Sequence, residues 1–410
     1  MAENHPPAMR EEAGQGIDSG LERRKIAASA TPVPQLPSRR PDGRFSSDDS
    51  RAAARGSPEN QQQGYQPRQS FAAIDLGTNN CRLLIARPQG DHFVVIDAFS
   101  RVVRLGEGLA GSGRLSDAAM DRALSALHIC ADKLRRRRVY LARSVATEAC
   151  RRAENGPEFI ERVKRETGIA LDIISAREEA RLAVLGCHIL LEQGDGPAMI
   201  FDIGGGSTEL VLVEQGEAPL PRIVDWMSVP WGVVSLSETC GPEPADAAGR
   251  AARYAEMRRR VSESLAPFAV RIEQHLARHD RPAAPLRLLG TSGTVTTLAS
   301  LHLELPQYDR RAVDGLIVPA AAMRGISQRL AAMPIPGRRE LACIGRERAE
   351  LVVAGCAILE TIMDLWPADR LGVADRGIRE GILRSLMAAE GMGERARVAL
   401  RRAKREGQPG

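Results

Sequence analysis

Two aspartate–glycine loops and one pair of adjacent glutamates carry the chemistry that this chain's residue types allow. The first loop is Phe71-Ala-Ala-Ile-Asp75-Leu-Gly77-Thr78-Asn79, and the second is Met199-Ile-Phe-Asp202-Ile-Gly204-Gly205-Gly206-Ser207-Thr208-Glu209. In each, an apolar β-type run ends in Asp, turns through Gly and hydroxyl residues, and re-enters an apolar run, 81–85 or 210–213. That pattern predicts a hairpin with a polyanion cradle at its tip. Glycine permits close backbone approach and positive φ, turned N–H groups and hydroxyls donate to phosphate oxygens, and the Asp can hold a divalent cation. A third glycine loop, Gly290-Thr291-Ser292-Gly293-Thr294, follows the apolar run 286–289. Two matching loops imply two similar lobes closing on one phosphate chain.

The glutamate pair lies in Ser175-Ala-Arg-Glu178-Glu179-Ala-Arg181. Ser175 with Glu178 three residues later is the signature of a capping box, which gives Glu178 a structural role and leaves Glu179 without one. Glu179 is then either a general base for water attacking phosphorus or a solvated first-turn carboxylate favoured by the helix dipole. Asp202 and Glu209 flank the glycine triplet closely enough to share one site suited to magnesium, although an outward strand position also explains Glu209. Arg151 reads equally as a phosphate clamp or as a surface ion pair. The histidines lack metal-ligand spacing and no Ser-His-Asp or Cys-His arrangement is present, so covalent catalysis is not expected.

The elements that must position these residues form two runs of alternating structure. After the first hairpin come a strand at 91–97, a helix over 116–134 opening on Ser116-Asp117, a strand at 139–145, a helix near 157–167 and a strand at 171–174. The order then starts again at Met199, a weak internal duplication. A buried helix is expected over 348–366, then a strand, a turn and a last helix around 371–381. The Arg135–Arg138 run reads as a solvated helix end ahead of a polyanion patch. The boundary between runs falls at 192–197, giving lobes at 71–191 and 196–393. Residues 1–70 read as a disordered leader, rich in Pro, Ser, Gln and Arg without apolar period, and 394–410 as a basic tail.

Charge excludes one class of partner. The formal net charge is +5, but 394–410 hold six basic and two acidic residues and 1–70 hold ten and nine, which leaves 71–393 neutral. A groove for nucleic acid would load its own fold with positive charge, so no specific nucleic acid is expected. No segment approaches the roughly 20 apolar residues that span a bilayer, so no membrane is expected. The seven cysteines form no CxxC pair and sit mostly in apolar stretches, as reduced thiols of a cytoplasmic protein would.

With these residues in place, 71–390 resembles the exopolyphosphatase and guanosine-pentaphosphate phosphohydrolase family, a branch of the actin, sugar-kinase and Hsp70 superfamily. The resemblance rests on Ala73-Ile-Asp-Leu-Gly-Thr-Asn79, Arg104-Leu-Gly-Glu-Gly-Leu109, Ala146-Thr-Glu-Ala-Cys-Arg151, Ile174-Ser-Ala-Arg-Glu-Glu-Ala-Arg181, Phe201-Asp-Ile-Gly-Gly-Gly-Ser-Thr-Glu209, Gly290-Thr-Ser-Gly-Thr294 and Ala374-Asp-Arg-Gly-Ile-Arg-Glu-Gly381. It implies an α/β fold of two RNase-H-like lobes with the active site in the cleft between them, and a terminal helix packing back on the first lobe. It implies Glu179 as the catalytic base. The phosphate-binding set it implies is Asp75, Gly77, Thr78, Asn79, Arg151, Gly204, Gly205, Gly206, Ser207, Thr208, Gly290, Ser292 and Gly293. Asp75, Asp202 and Glu209 fall to a magnesium or other divalent cation. Asn80 stands where many members have Ser. Long members add a helical domain that supports dimerisation and long-chain processing; here the chain ends soon after Gly381, which leaves long-chain processivity and a homodimer open.

The expected reaction is hydrolysis of a terminal phosphoanhydride in polyphosphate or guanosine pentaphosphate. A kinase or ATPase of the superfamily would need an adenine pocket around 290–294 and an acceptor-site carboxylate. A non-catalytic polyphosphate or alarmone sensor, and a tail tethering RNA or polyphosphate, are the remaining alternatives.

Overall fold

The structure, a computed structural model, describes residues 31–32, 69–90, 92–194, 196–216, 220–277 and 286–391. The basic tail and nearly all of the leader lie outside the described residues. Of the leader, Thr31–Pro32 (β1) pairs antiparallel with Leu141 and Ala142.

The duplication predicted from motif order is present in the topology. In the first sheet, β2 (Phe71–Leu76), β3 (Asn80–Gln89) and β4 (His92–Val102) form an antiparallel meander, and β5 (Leu141–Ala146) and β6 (Leu171–Ile173) add in parallel beyond β2. In the second, β7 (Pro197–Ile203), β8 (Thr208–Glu214) and β9 (Arg222–Val229) repeat the meander. Strands β10 (Arg287–Thr291) and β12 (Arg370–Ala374) then add in parallel beyond β7, and β11 (Ile317–Pro319) closes the edge antiparallel to β12. Each hairpin tip therefore lies beside the C-terminal end of a parallel strand, where loops converge.

Strand residues alternate between two cores, as a sheet covered on both faces requires. In β2, Ala72, Ile74 and Leu76 face a cluster with Leu124, Leu127 and Phe159, whereas Phe71 and Ala73 face Leu182, Ile382, Leu383 and Leu386. The last three belong to the final helix, 378–391, which thus packs on the first sheet. The helix Ala176–Cys187 is shared: Leu182 packs on the first sheet, while Ala180, Val184 and Cys187 pack on Ile200, Val211 and Val213 of the second. It crosses the final helix so closely that a Cβ on Gly186 would lie 2.0 Å from the Gly377 carbonyl oxygen, and one on Gly381 2.0 Å from that of Leu182.

Element ends differ from expectation where charge interrupts periodicity. The helix expected over 348–366 begins at Val352, because Leu351 and Val352 both bond the Arg348 carbonyl in a tight turn and 346–350 carry four charges. The helix from Ser116 runs over Asp117–Arg136, with Ser116 accepting from the Ala119 N–H. At its end, Arg135 pairs with Asp132 and Arg137 with Asp97, so two of that run's guanidiniums are spent on ion pairs. The sequence reading missed the 31-residue helix Ala247–Ala277. Its buried stripe of Met257, Val261, Leu265, Phe268 and Ile272 is narrow and set among charges.

The helix crossing makes a prediction. Gly381→Leu must push the two helices apart and should destabilise the protein by about 1–3 kcal/mol. Gly325→Ala, in an exposed helical position with open space around it, should stabilise by about 0.5–1 kcal/mol. Denaturant unfolding of both variants, with opposite shifts expected, checks this.

Candidate active site

The two hairpin tips are built alike. Gly77 N–H donates to Asn80 O and Gly204 N–H to Ser207 O, each at 2.9 Å, so each strand pair is closed by the same turn bond. The tip carbonyls are then drawn into the protein. Thr78 O accepts from Gly106 N–H, and Asn79 O from Val103 and Arg104 N–H; Gly204 O accepts from Val233 N–H and Gly205 O from Val234 N–H. This commits the tip carbonyls and leaves the N–H groups of Thr78, Asn79, Gly205 and Gly206 outside the turn bonds. The motif at 104–109 is thereby explained as a buttress under the first loop, with Gly106 required because a Cβ there would sit 2.3 Å from Thr78 Cγ2.

The loop glycines do not adopt the positive φ expected of them: among the described glycines with positive φ, none belongs to either loop. Close approach selects the second loop's triplet, whereas a Cβ on Gly77 would meet nothing nearer than 3.5 Å. A Cβ on Gly206 would lie 2.7 Å from Thr78 Oγ1, and one on Gly205 3.1 Å from Asn79 N, so the two tips touch across the lobes.

Between the tips lies a cavity of about 130 Å³. Of the predicted residues, Asp75, Gly77, Thr78, Asn79, Glu179, Asp202, Gly204, Gly205, Gly206, Ser207, Glu209, Ser292 and Gly293 line it. Thr208, Gly290 and Arg151 are not in its wall. The Thr208 hydroxyl donates to Trp231 O at 2.7 Å. Gly290 lies within β10, where a Cβ would strike the Phe201 ring at 2.7 Å, so it is a packing glycine. Arg151 is held by Glu148, Glu179 and the Ile174 carbonyl. Residues missed from sequence also line the cavity: Arg82, Thr147, Glu148 and Arg348. Arg82 was findable, since the hairpin register sets it opposite Asp75. Arg348 carried no signal, since a helix was expected to run through it.

The electrostatics of the wall differ between lobes. In the first hairpin Asp75 faces Arg82; at the equivalent place in the second, Asp202 faces Glu209. Like charges directly opposite destabilise a sheet. Loss of hydration, and then Glu209, push Asp202 up to about 8. Loss of hydration pushes Glu209 up to about 6 against the hydroxyls of Ser207 and Ser228, which donate to it at 2.7 and 2.8 Å. Asp75 is also raised by burial, only partly offset by Arg82. Such a set fits a divalent cation, which favours hard oxygen donors and would relieve the repulsion. Among the described residues no group of three or more His, Cys, Asp or Glu forms a ready cage, so phosphate and water oxygens would have to complete the shell.

The adjacent glutamates separate as the capping argument required, with one change. Ser175 does cap the helix, accepting from Glu178 N–H at 3.2 Å. The Glu178 carboxylate, however, pairs with Arg143 of β5 and with Arg181, and these guanidiniums hold it below the usual range although burial alone would raise it. Glu179 is 7% exposed and lines the cavity. Burial, then Glu209, raise its carboxyl well above the usual range, although Arg151 donates to Oε2 at 3.1 Å.

A family model described as the Ppx/GppA phosphatase family matches residues 84–390. The chain belongs to that family. It is 32% identical over 333 residues to "Exopolyphosphatase 2" of Mycobacterium tuberculosis, covering 77% of this chain and 98% of the relative. It is 28% identical to the longer "Guanosine-5'-triphosphate,3'-diphosphate pyrophosphatase" of Aeromonas hydrophila, covering 77% of this chain and 59% of that one. Among solved structures, the Ppx/GppA family member of Aquifex aeolicus superposes with a TM-score of 0.60 at 28% identity, covering 78% of this chain and 98% of that one. An exopolyphosphatase from Cytophaga hutchinsonii gives 0.67 at 25% identity, covering 79% and 98%.

The raised carboxyls set a pH dependence. Asp202 and Glu209 hold protons in the folded chain that the unfolded chain has released, so metal-free protein should lose stability as pH rises from about 4 toward about 8. Asp202→Asn should raise the thermal midpoint in EDTA at pH 8 and leave it unchanged near pH 4. A midpoint gain of equal size at both pH values would contradict this origin.

Proposed function

We propose that this protein hydrolyses the terminal phosphoanhydride of a polyphosphate chain, releasing orthophosphate, with guanosine pentaphosphate as a second substrate presenting the same terminal group. The observation that carries the reading is Glu179, a buried carboxylate lining a cleft whose wall also holds the glycine tips of both lobes. Membership of the Ppx/GppA family and the names of its relatives support the reaction class.

In this reading the N–H groups of Thr78, Asn79, Gly205 and Gly206 and the Thr78 hydroxyl receive the terminal phosphoryl oxygens. Arg82 and Arg348, at the wall, meet the charge of the following phosphates. Glu179 accepts the proton of the attacking water, and burial makes its carboxylate more basic than an ordinary glutamate. Asp202 and Glu209, with Asp75 beside them, would hold Mg²⁺, which when bound neutralises charge on the phosphate chain. Phosphoryl transfer is catalysed mainly by positioning and electrostatics, which two fixed tips supply. The body's neutral net charge supports recognition by this cleft rather than by a basic surface. The free thiols of the described cysteines, all but Cys240 buried, support a reducing cytoplasmic setting.

Phosphate release from short and long polyphosphate, guanosine pentaphosphate and ATP, with and without Mg²⁺, tests the reading. Glu179→Gln should lower turnover by about 10²–10⁴-fold while substrate binding survives. Glu178→Gln should instead cost about 1–3 kcal/mol of stability, since it weakens the pairing of a buried Arg143, and should largely spare kcat. Equal activity loss in both variants, each folded, would sink this division of labour, and transfer of phosphate from ATP to an alcohol without release from polyphosphate would favour a kinase.

A further inference from the structure

Arg151 is engaged on every side by the chain itself. Its Nε and Nη2 donate to Glu148 Oε2 at 3.1 and 2.5 Å, and its Nη1 donates to Ile174 O at 2.7 Å and to Glu179 Oε2 at 3.1 Å. The guanidinium is not in the cavity wall, but both carboxylates it joins are. Glu148 opens the short helix Glu148–Arg152 and is pressed against the other lobe, its Cγ 2.9 Å from where a Cβ on Gly206 would stand. It also lines a smaller cavity on the far side, with Arg152 and Glu238, and so forms a partition between the two spaces.

A guanidinium beside a single carboxylate favours the two-bond fork, in which both carboxylate oxygens are occupied. Here the Nε and Nη2 edge, which would make that fork, is taken by Glu148, and Glu179 receives one N–H on one oxygen only. We propose that Glu148 is a positioning residue for the hydrolysis: by occupying the forked edge of Arg151 it restricts that guanidinium to Glu179 Oε2, leaving Oε1 as the oxygen that meets the attacking water. The inference rests on the role proposed for Glu179. It also replaces direct phosphate binding as the task of Arg151. Without Glu148, the guanidinium is released to fork onto Glu179 and block the base.

The test is steady-state phosphate release from polyphosphate by wild type, Glu148→Gln, Arg151→Ala and the double variant, with Glu179→Gln as reference and thermal unfolding to verify folding. Glu148→Gln should lower kcat by about 10–100-fold, the scale of a misplaced catalytic group, with KM within about twofold. In the Arg151→Ala background it should have no further effect, since it acts only through that guanidinium. Multiplying losses in the double variant, an unchanged kcat in Glu148→Gln, or a fall in KM at constant kcat would each overturn the inference; the last would mean that Glu148 restrains Arg151 from phosphate. Should Glu148→Gln fail to fold, Glu148→Asp must show a smaller kcat loss with the same silence beside Arg151→Ala, and additivity there overturns the inference equally. Activity that does not depend on Glu179 sinks the functional reading and this inference with it. Normal dependence on Glu179 with kcat indifferent to Glu148 sinks the inference alone.

Discussion

The helix Ala176–Cys187 is wedged between two sheets, and the site exists because of that wedge. One of its faces belongs to the core of the first sheet and another to the core of the second, so the lobes share a structural member rather than merely touching. Its N-terminal turn is pinned by Ser175 at the backbone and by Glu178 to Arg143 of β5. Glu179, one residue further round, is thereby directed into the cleft with little freedom to leave it. The final helix completes the constraint by crossing where only glycine fits, at Gly186 and Gly381. A change of lobe angle would have to deform this crossing.

Around that fixed carboxylate the protein accumulates charge that the fold alone does not neutralise. Asp202 faces Glu209 across a strand pair, Glu179 feels both Glu209 and Asp75, and Arg82 at the wall offsets only part of the rise in Asp202. Such concentrated carboxylates weaken the folded chain, and their persistence is the mark of a site tuned for something absent from the chain itself. The glycine tips are the complementary half. Their carbonyls are committed to bonds within the chain, and the tips line the cavity where phosphate oxygens would meet their remaining donors.

Much of this was legible in residue order. The Asp–Gly tips, the duplication, the cap at Ser175 and the separation of Glu178 from Glu179 follow from local rules, because hairpin turns and helix caps are decided by neighbours within a few residues. Where the reading failed, the deciding contact was distant in sequence. Residue order allows both close approach and positive φ for the triplet Gly204–Gly206; none of the three has positive φ, and Gly205 and Gly206 are selected by contact with Thr78, Asn79 and Glu148. Gly290 looks in sequence like part of a phosphate loop and instead makes room for Phe201. Glu178 caps less with its carboxylate than it pairs with an arginine on another strand.

The sequence by itself therefore determined which residue types meet at each turn and that two similar lobes would present them, since periodicity, glycine placement and capping are local properties. Tertiary structure alone decided which of those residues share one cavity. Arg151 shows the reason most plainly: residue order leaves it as a phosphate clamp or an ion pair, Glu148 three residues away is a local partner, and only the approach of Ile174 and Glu179 determines that the cation is already spent. Burial, charge pairing and access to the cleft depend on what folds against a residue from elsewhere in the chain, and no local pattern encodes them.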